Sequence, residues 1–91
     1  MRTTEAQLEY QAEQINRLAN SPLTKYQSTR DENGNLISNI GHYYIAYAYG
    51  RSRLERIATT GGGCSDISHS VSKGELNSIL HGIINVLENQ H

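Results

Sequence analysis

Residues 46–66 of the 91-residue sequence contain three kinds of residue suited to holding a phosphorylated nucleotide: tyrosines, arginines and a run of glycines. Tyrosine rings stack on bases, guanidinium groups match phosphate oxygens bidentately, and glycines let backbone N–H groups approach an anion without Cβ obstruction. The residues that this combination marks as candidate ligand contacts are Tyr47, Tyr49, Arg51, Arg56, Thr60, Gly61, Gly62, Gly63 and Ser65.

Each of these features also has an ordinary structural interpretation. The glycine segment, residues 59–66, lacks the Gly-Lys-Ser/Thr ending of a phosphate-binding P-loop and the spacing of a dinucleotide fingerprint, so it also fits a plain connection between a strand and a helix. Arg51, Arg53 and Arg56 also fit a solvated strand edge that discourages aggregation. Only their combination favours a binding site.

The sequence does not contain a recognisable catalytic or metal-binding constellation. Cys64 has Asp66 and His69 nearby in sequence, but nothing in the pattern activates its thiol. The histidines do not have metal-ligand spacing; they are His42, His69, His81 and His91. We therefore expect no catalytic residues, no metal and no cofactor.

Composition narrows the class of partner. The formal net charge is −1 and the basic residues are scattered, which argues against binding to a nucleic-acid polymer. The single cysteine precludes an intramolecular disulfide, and no apolar run is long enough to span a bilayer, so we expect a cytosolic protein. A chain of 10.2 kDa predicts one domain, residues 1–91, of marginal stability that favours self-association as a dimer or higher oligomer.

The hydrophobic pattern predicts two helices around a small sheet. A first helix is expected from Thr4, with Gln7 completing a capping box, to about Asn20. A last helix is expected after Ser72, with a capping box to Glu75. Its apolar stripe comprises Leu76, Ile79, Leu80, Ile83, Ile84 and Leu87.

Two hairpins are predicted between these helices. The first covers residues 25–40, with Asn33-Gly34 as a two-residue type I′ turn. The second pairs residues 42–49 with residues 52–59 across Gly50. Neither face of the tyrosine-rich strand is polar, so one should meet the helices and the other a second subunit, another segment or a ligand. The expected fold is α+β, with a small antiparallel sheet packed against N- and C-terminal helices.

The region from Asn39 to Glu88 resembles the Thoeris anti-defence protein 1 family of small phage proteins. The motifs are a tyrosine-rich strand ending in Tyr49-Gly50, a Gly-Gly-x-x-Asp-x-Ser loop at residues 62–68, and a basic residue, Lys73, that begins a helix. That helix ends in the pattern formed by Gly82 and Leu87-Glu88, whereas Gly74 stands where the family pattern has a second basic residue. The resemblance adds Asp66 and Lys73 to the candidate ligand contacts.

This resemblance implies a sponge acting in the cytoplasm of an infected bacterium. Such proteins bind a cyclised ADP-ribose immune signal, and in some members cyclic oligonucleotides at separate sites, without cleaving them. Tyr47 and Tyr49 would then stack on adenine, and Arg51, Arg56 and Lys73 would neutralise the pyrophosphate. Thr60, the glycines and Asp66 would form the ribose and phosphate cradle. The alternative is a phage protein that inhibits a host defence effector by binding to it.

Overall fold

A computed structural model describes residues 3–90 of the chain; Met1, Arg2 and His91 lie outside the described residues. The order of elements is α1 (Glu5–Leu18), β1 (Tyr26–Arg30), β2 (Leu36–Ser38), β3 (Tyr43–Ala48), β4 (Arg51–Ile57), β5 (Cys64–Asp66) and α2 (Lys73–Glu88). The predicted α+β fold is confirmed. Among residues 3–90, no helix has the length and apolar character needed to cross a bilayer.

Local sequence signals set both ends of α1. Thr4 Oγ1 accepts the N–H of Gln7 at 3.2 Å, and Gln7 Oε1 accepts the N–H of Thr4 at 2.9 Å. The predicted capping box is therefore present, and it pairs N–H groups that the helix leaves free. After the helix, Asn20 adopts a left-handed conformation with φ of 59°, and the chain turns away before Pro22.

The first hairpin, β1–β2, forms, but the expected turn within it was wrong. Only Gly34 has a positive φ, at 81°, so Asn33-Gly34 is not a type I′ turn. Five residues, 31–35, connect the strands instead. Asp31 Oδ1 accepts the N–H groups of Asn33 and Asn35, both at 2.9 Å, and this carboxylate organises the longer loop.

The second hairpin, β3–β4, carries the two-residue turn. Tyr49 and Gly50 both have positive φ, at 54° and 75°, as a type I′ turn requires. The strands pair from Tyr43 opposite Arg56 to Ala48 opposite Arg51, so the predicted hairpin is confirmed. Its turn consists of Tyr49 and Gly50, whereas the prediction placed the turn at Gly50 alone.

A third strand, β5, was missed by the sequence analysis, which treated residues 59–66 as one connecting segment. Cys64–Asp66 pairs antiparallel with the far end of β4, with Cys64 opposite Ile57 and Asp66 opposite Glu55. The glycine loop therefore ends at Gly63. Residues 64–66 belong to a three-stranded sheet of order β3-β4-β5.

The last helix begins at the predicted cap. Ser72 Oγ accepts the N–H of Glu75 at 3.2 Å, as predicted. Glu75 Oε1 accepts from the Ser72 hydroxyl at 3.0 Å instead of from the Ser72 N–H, so the predicted capping box is only half formed. The apolar stripe is only partly buried: Leu76, Leu80 and Ile84 enter the core, but Ile79 is 37% exposed. At 100° per residue, Ile79 is rotated by about 60° from Leu76, which leaves it at the flank of the buried face.

Both helices pack on one face of the β3-β4-β5 sheet. The buried cluster that joins them consists of Leu8, Ala12, Ile15, Ile45, Leu54, Leu76, Leu80 and Ile84. Ile45 and Leu54 are cross-strand partners in β3 and β4, so the centre of the sheet anchors both helices. On the face of the sheet away from the helices, Tyr44, Glu55 and Arg53 form a polar network in which Glu55 is buried.

Candidate ligand-binding site at the β3–β4 turn

The turn between β3 and β4 presents a tyrosine to solvent from a strained backbone. Tyr49 is 103% exposed and lies in the left-handed region, which costs an L-residue other than glycine roughly 1–2 kcal/mol. Asparagine or glycine would satisfy the same turn with less strain. Strained residues cluster at functional sites, and this exposed aromatic side chain contributes nothing to the core.

The N-termini of both helices lie beside this turn because α1 and α2 run parallel. At one end, Lys73 Nζ, from the first residue of α2, lies 3.4 Å from Glu5 Oε2, from the first residue of α1. At the other end, a single cavity is lined by Leu18 of α1 together with Ile84 and Glu88 of α2. Two positive helix-dipole ends therefore lie at the same edge of the molecule.

Two adjoining concavities lie where the helix starts meet the turn. One, of about 270 Å³, is lined by Glu5, Tyr47, Ala48, Tyr49, Gly50, Arg51 and Lys73. The other, of about 450 Å³, is lined by Thr3, Gly50, Ser72, Lys73 and Gly74. Since Gly50 and Lys73 line both concavities, we treat the two concavities as one surface and call it the tip site. The larger volume lies within the range of about 300–1,000 Å³ that is typical of small-ligand pockets, and the smaller lies just below it.

The tip site has two cationic side chains with different partners. One guanidinium nitrogen of Arg51 donates to the carbonyl oxygen of Ser70 at 3.0 Å, which anchors the side chain while its other donors stay available. The ammonium of Lys73 pairs with Glu5 at 3.4 Å, and both side chains are about half exposed. An anion at this surface would meet a fixed guanidinium and a lysine that already has a carboxylate partner.

Tyr47 forms the wall of the tip site nearest α1. Its partial burial, together with the carboxylates of Glu9 and Glu5, raises its pKa to about 12. The hydroxyl is therefore protonated at neutral pH and is available as a hydrogen-bond donor. It is too weakly acidic to serve as a base near pH 7.

Backbone donors at the start of α2 complete the tip site. Ser72 caps the helix by accepting the N–H of Glu75, and the N–H groups of the first turn point toward the helix start. Gly74 has no atom within 4 Å of the position that a Cβ would occupy, apart from its chain neighbours and the backbone of its own helix. The surface therefore has room for a ligand or for a larger side chain at this position.

The tip site contains four of the eleven residues that the sequence marks as ligand contacts: Tyr47, Tyr49, Arg51 and Lys73. The glycine loop lies at the opposite end of β4. Seven residues separate these ends, and at about 3.3 Å per residue the separation is roughly 20 Å. The lining of the tip site includes none of the seven other predicted contacts.

The glycine loop is organised by its own hydrogen bonds. The N–H of Gly62 bonds to the carbonyl oxygen of Thr59 at 3.1 Å, and the N–H of Gly63 bonds to Thr59 Oγ1 at 2.8 Å. A Cβ on Gly63 would lie 2.8 Å from that hydroxyl, so glycine is needed for this compact turn. Two of the three glycine N–H groups are therefore committed within the loop, which also contains Thr60 and Gly61.

The remaining predicted contacts lie on β4 and β5. Arg56 and Ser65 are cross-strand partners, and the Arg56 guanidinium lies 5.7 Å from the centre of the Tyr43 ring. Asp66 Oδ1 lies 3.5 Å from Arg53 Nε on the face of the sheet away from the helices. Arg56 and Ser65 lie on the helix-facing side of the sheet and Asp66 lies on the other side, because successive pairs along β4 and β5 alternate between faces. With the glycine loop they make up the second group of predicted contacts, which is distant from the tip site within one chain.

Sequence reasoning missed Glu5 as a member of the tip site. Its acidic character at the first position of α1 was visible, but its contact with Lys73 depends on the parallel packing of helices that are far apart in sequence. It also missed the network on the face of the sheet away from the helices. There, Tyr44 and Arg53 each donate to the buried carboxylate of Glu55 at 2.5 Å.

The exposed Cys64 is engaged by neighbours other than His69. Its sulfur lies 2.7 Å from the Tyr44 hydroxyl and 3.1 Å from the carbonyl oxygen of Gly62. Within the described residues 3–90, histidine, cysteine and acidic side chains do not converge in a group of three that would hold a metal ion.

The sequence was compared with protein-family models and with curated proteins, and the structure with solved structures, and no match was found in any of the three comparisons.

Proposed function

We propose that this protein is a phage-encoded anti-defence sponge that binds cyclic ADP-ribose signals and withholds them without cleaving them. The observation that carries the proposal is the tip site, where Arg51 and Lys73 flank a concavity walled by Tyr47 and Tyr49. The proposed place of action is the cytoplasm of the infected bacterial host. Cyclic oligonucleotides are a second class of ligand for the same proposal.

The chemistry of the tip site matches the parts of such a ligand. A guanidinium and an ammonium neutralise a diphosphate, and the N–H groups at the start of α2 add anion-directed donors. The ring of Tyr49, held away from the core by its strained turn, offers a stacking face of the kind that binds bases. The Tyr47 hydroxyl adds a donor for a ribose or phosphate oxygen.

The same side chains favour retention over cleavage. The ionisable residues that line the tip site are one glutamate, two tyrosines, one arginine and one lysine. A proton-transfer catalyst works best with a pKa near the operating pH, whereas Tyr47 has a pKa of about 12. Binding without turnover lowers the free signal by mass action, so the sponge must be present in stoichiometric amounts.

The second group of predicted contacts enters the proposal through self-association. Arg56, Thr60, Ser65, Asp66 and the glycines at residues 61–63 lie too far from the tip site to touch the same small molecule in one chain. A dimer or higher oligomer in which the loop of one protomer meets the tip of another would unite the two groups. Separate loop sites for cyclic oligonucleotides are the alternative arrangement.

The test is a capture and release experiment. The purified protein is incubated with cyclic ADP-ribose and filtered, and the retained protein is then heated and the released small molecules are identified by mass spectrometry. A sponge depletes the filtrate and returns intact nucleotide on heating. An enzyme returns altered nucleotide, and an inhibitor that acts on a host protein does not deplete the filtrate. Either of the last two results would contradict the proposal.

Matched variants locate the binding. Arg51→Ala removes a cation from the tip site, and we expect it to weaken retention at least tenfold. Arg17→Ala removes the same charge from an exposed ion pair with Glu13 near the far end of α1, and retention should be unchanged. Equal loss in both variants would indicate a general charge effect, and no loss in either would place the site elsewhere.

A protein-binding inhibitor is the second candidate, and the exposure of Tyr49 favours it. Tyrosine is enriched among the residues that dominate binding energy at protein interfaces. A fully exposed tyrosine at a hairpin tip has the shape of an anchor that enters a pocket on a partner. Pull-down of a host effector by the wild type but not by Tyr49→Ala, with no nucleotide retained, would favour this function.

A further inference from the structure

Glu5 occupies the position on Lys73 that a ligand phosphate would take. Each is the first residue of its helix, and the Lys73 Nζ to Glu5 Oε2 distance is 3.4 Å within the lining of the tip site. A carboxylate at the start of α1 is favourable for that helix by itself. Its second consequence is that one of the two cations of the tip site is already paired with an anion.

The acidic residues along α1 do not share this arrangement. Glu9, one turn later, does not pair with Lys73, although its charge reaches Tyr47. Glu13, a further turn on, pairs with Arg17 at 2.8 Å. Glu5 is therefore the acidic residue that competes directly for a ligand-binding cation, and Glu9 is a matched charge on the same helix without that contact.

We propose that Glu5 is an intramolecular competitor that sets the affinity of the tip site for phosphate-bearing ligands, an inference that rests on the proposed nucleotide-binding function. A ligand that uses Lys73 must first displace the Glu5 carboxylate and then lie beside it. A bare phosphate exchanges one ion pair for another and gains little. A nucleotide that also stacks on Tyr49 and contacts Arg51 has further interactions that offset the displacement.

The competition is specific to one ion pair, so it predicts energetic coupling between two residues. In Glu5→Gln the lysine is free, the Thr4–Gln7 capping box is retained, and cyclic ADP-ribose should bind about two- to fivefold more tightly. The upper limit is the affinity change that corresponds to an exposed ion pair of about 1 kcal/mol. In a Lys73→Gln background the same Glu5→Gln change should alter affinity less than twofold, because the contested cation is gone.

The experiment is a double-mutant cycle measured by isothermal titration calorimetry with cyclic ADP-ribose, with Glu9→Gln as the control and circular dichroism as the check of folding. Support requires that Glu5→Gln tightens binding, Glu9→Gln changes it less than twofold, and the effect of Glu5→Gln disappears without Lys73. If Glu5→Gln and Glu9→Gln behave alike, or the effect persists in Lys73→Gln, the competitor role is overturned while the proposed function stands. If the folded wild type and Glu5→Gln both fail to bind at millimolar ligand, the proposed function and this inference fall together.

Discussion

The side-chain amide of Asn16 pairs with the backbone of Tyr43 in the way that a neighbouring strand would. Asn16 Oδ1 accepts the N–H of Tyr43 at 2.8 Å, and Asn16 Nδ2 donates to its carbonyl oxygen at 3.0 Å. β3 is an edge strand of the three-stranded sheet, so these backbone groups have no strand partner on that side. A residue on α1 therefore closes part of an exposed sheet edge and fixes the helix against the sheet.

We expect Asn16→Ala to lower the free energy of unfolding by roughly 2–4 kcal/mol. Asn16 is 2% exposed, and its removal leaves the N–H and carbonyl oxygen of Tyr43 without their partner, at about 1–3 kcal/mol for each unsatisfied buried group. Urea unfolding followed by circular dichroism measures the change. Gln14→Ala, on the same helix and less buried, is the control, and an equal loss in both variants would contradict this role for Asn16.

Tyr49→Asn should stabilise the fold while weakening ligand binding. Asparagine tolerates the left-handed conformation, and Asn-Gly is a preferred pair for a type I′ turn, so the strain relieved is about 1 kcal/mol. Thermal unfolding should show the gain, and calorimetry with cyclic ADP-ribose should show at least a tenfold loss of affinity. A variant that is both more stable and equally tight in binding would show that the Tyr49 ring does not contact the ligand.

Gln11→Met should raise the stability of the chain by about 1–2 kcal/mol. Gln11 is buried in α1, and its Oε1 has no hydrogen-bond partner among the described residues. Methionine keeps the length and flexibility of the side chain and removes the unsatisfied oxygen. For a domain of this size, 1 kcal/mol corresponds to a rise in melting temperature of about 4–8 °C. Gln14→Met is the control, and a lower melting temperature in Gln11→Met would refute the expectation.

The buried carboxylate of Glu55 should make stability fall in acid. Burial works to raise its pKa, but hydrogen bonds from Tyr44 and Arg53 outweigh that effect and hold the pKa below its ordinary value near 4.3. Because the folded state favours the ionised form, this contribution is fully present above that ordinary value and is lost as the pH falls through the lower, folded pKa.

Urea unfolding of the wild type and Glu55→Gln between pH 3 and pH 7 measures this contribution. The gap in stability between the two proteins should be largest above about pH 4.5 and should narrow as the pH falls. Glu32→Gln, an exposed residue of the β1–β2 loop, is the control and should follow the wild-type curve. A gap between wild type and Glu55→Gln that stays constant with pH would contradict the assignment.

Features encoded by neighbouring residues were predictable from the sequence, whereas those set by competition between turns were not. The Thr4–Gln7 box and the Ser72 cap depend on side chains three residues from their partners, so local pattern suffices. Asn33-Gly34 has the better propensity for a type I′ turn, yet Asp31 draws that loop into a longer form through its own hydrogen bonds. The two-residue turn forms at Tyr49-Gly50, despite its strain, because the pairing of β3 with β4 imposes it.

The candidate site was predictable only where it is continuous in sequence. Tyr47, Tyr49 and Arg51 flank one turn, so their proximity follows from a hairpin. The separation of Arg51 from the glycine loop follows from the length of β4, because the two lie at its opposite ends. Glu5 meets Lys73 only because two helices pack in parallel, and neither residue's own surroundings in the sequence signals that contact.

The parallel arrangement of α1 and α2 also has a consequence for how the chain folds. Two parallel helices need a connection that carries the chain from the end of the first back to the start of the second. Here residues 19–72, with all five strands, form that connection. Leu8 and Ile15 stay without their full set of apolar neighbours until Leu76, Leu80 and Ile84 have been synthesised and docked. The two helices are not neighbours along the chain, so formation of the core requires closure of a long loop, which carries an entropic cost.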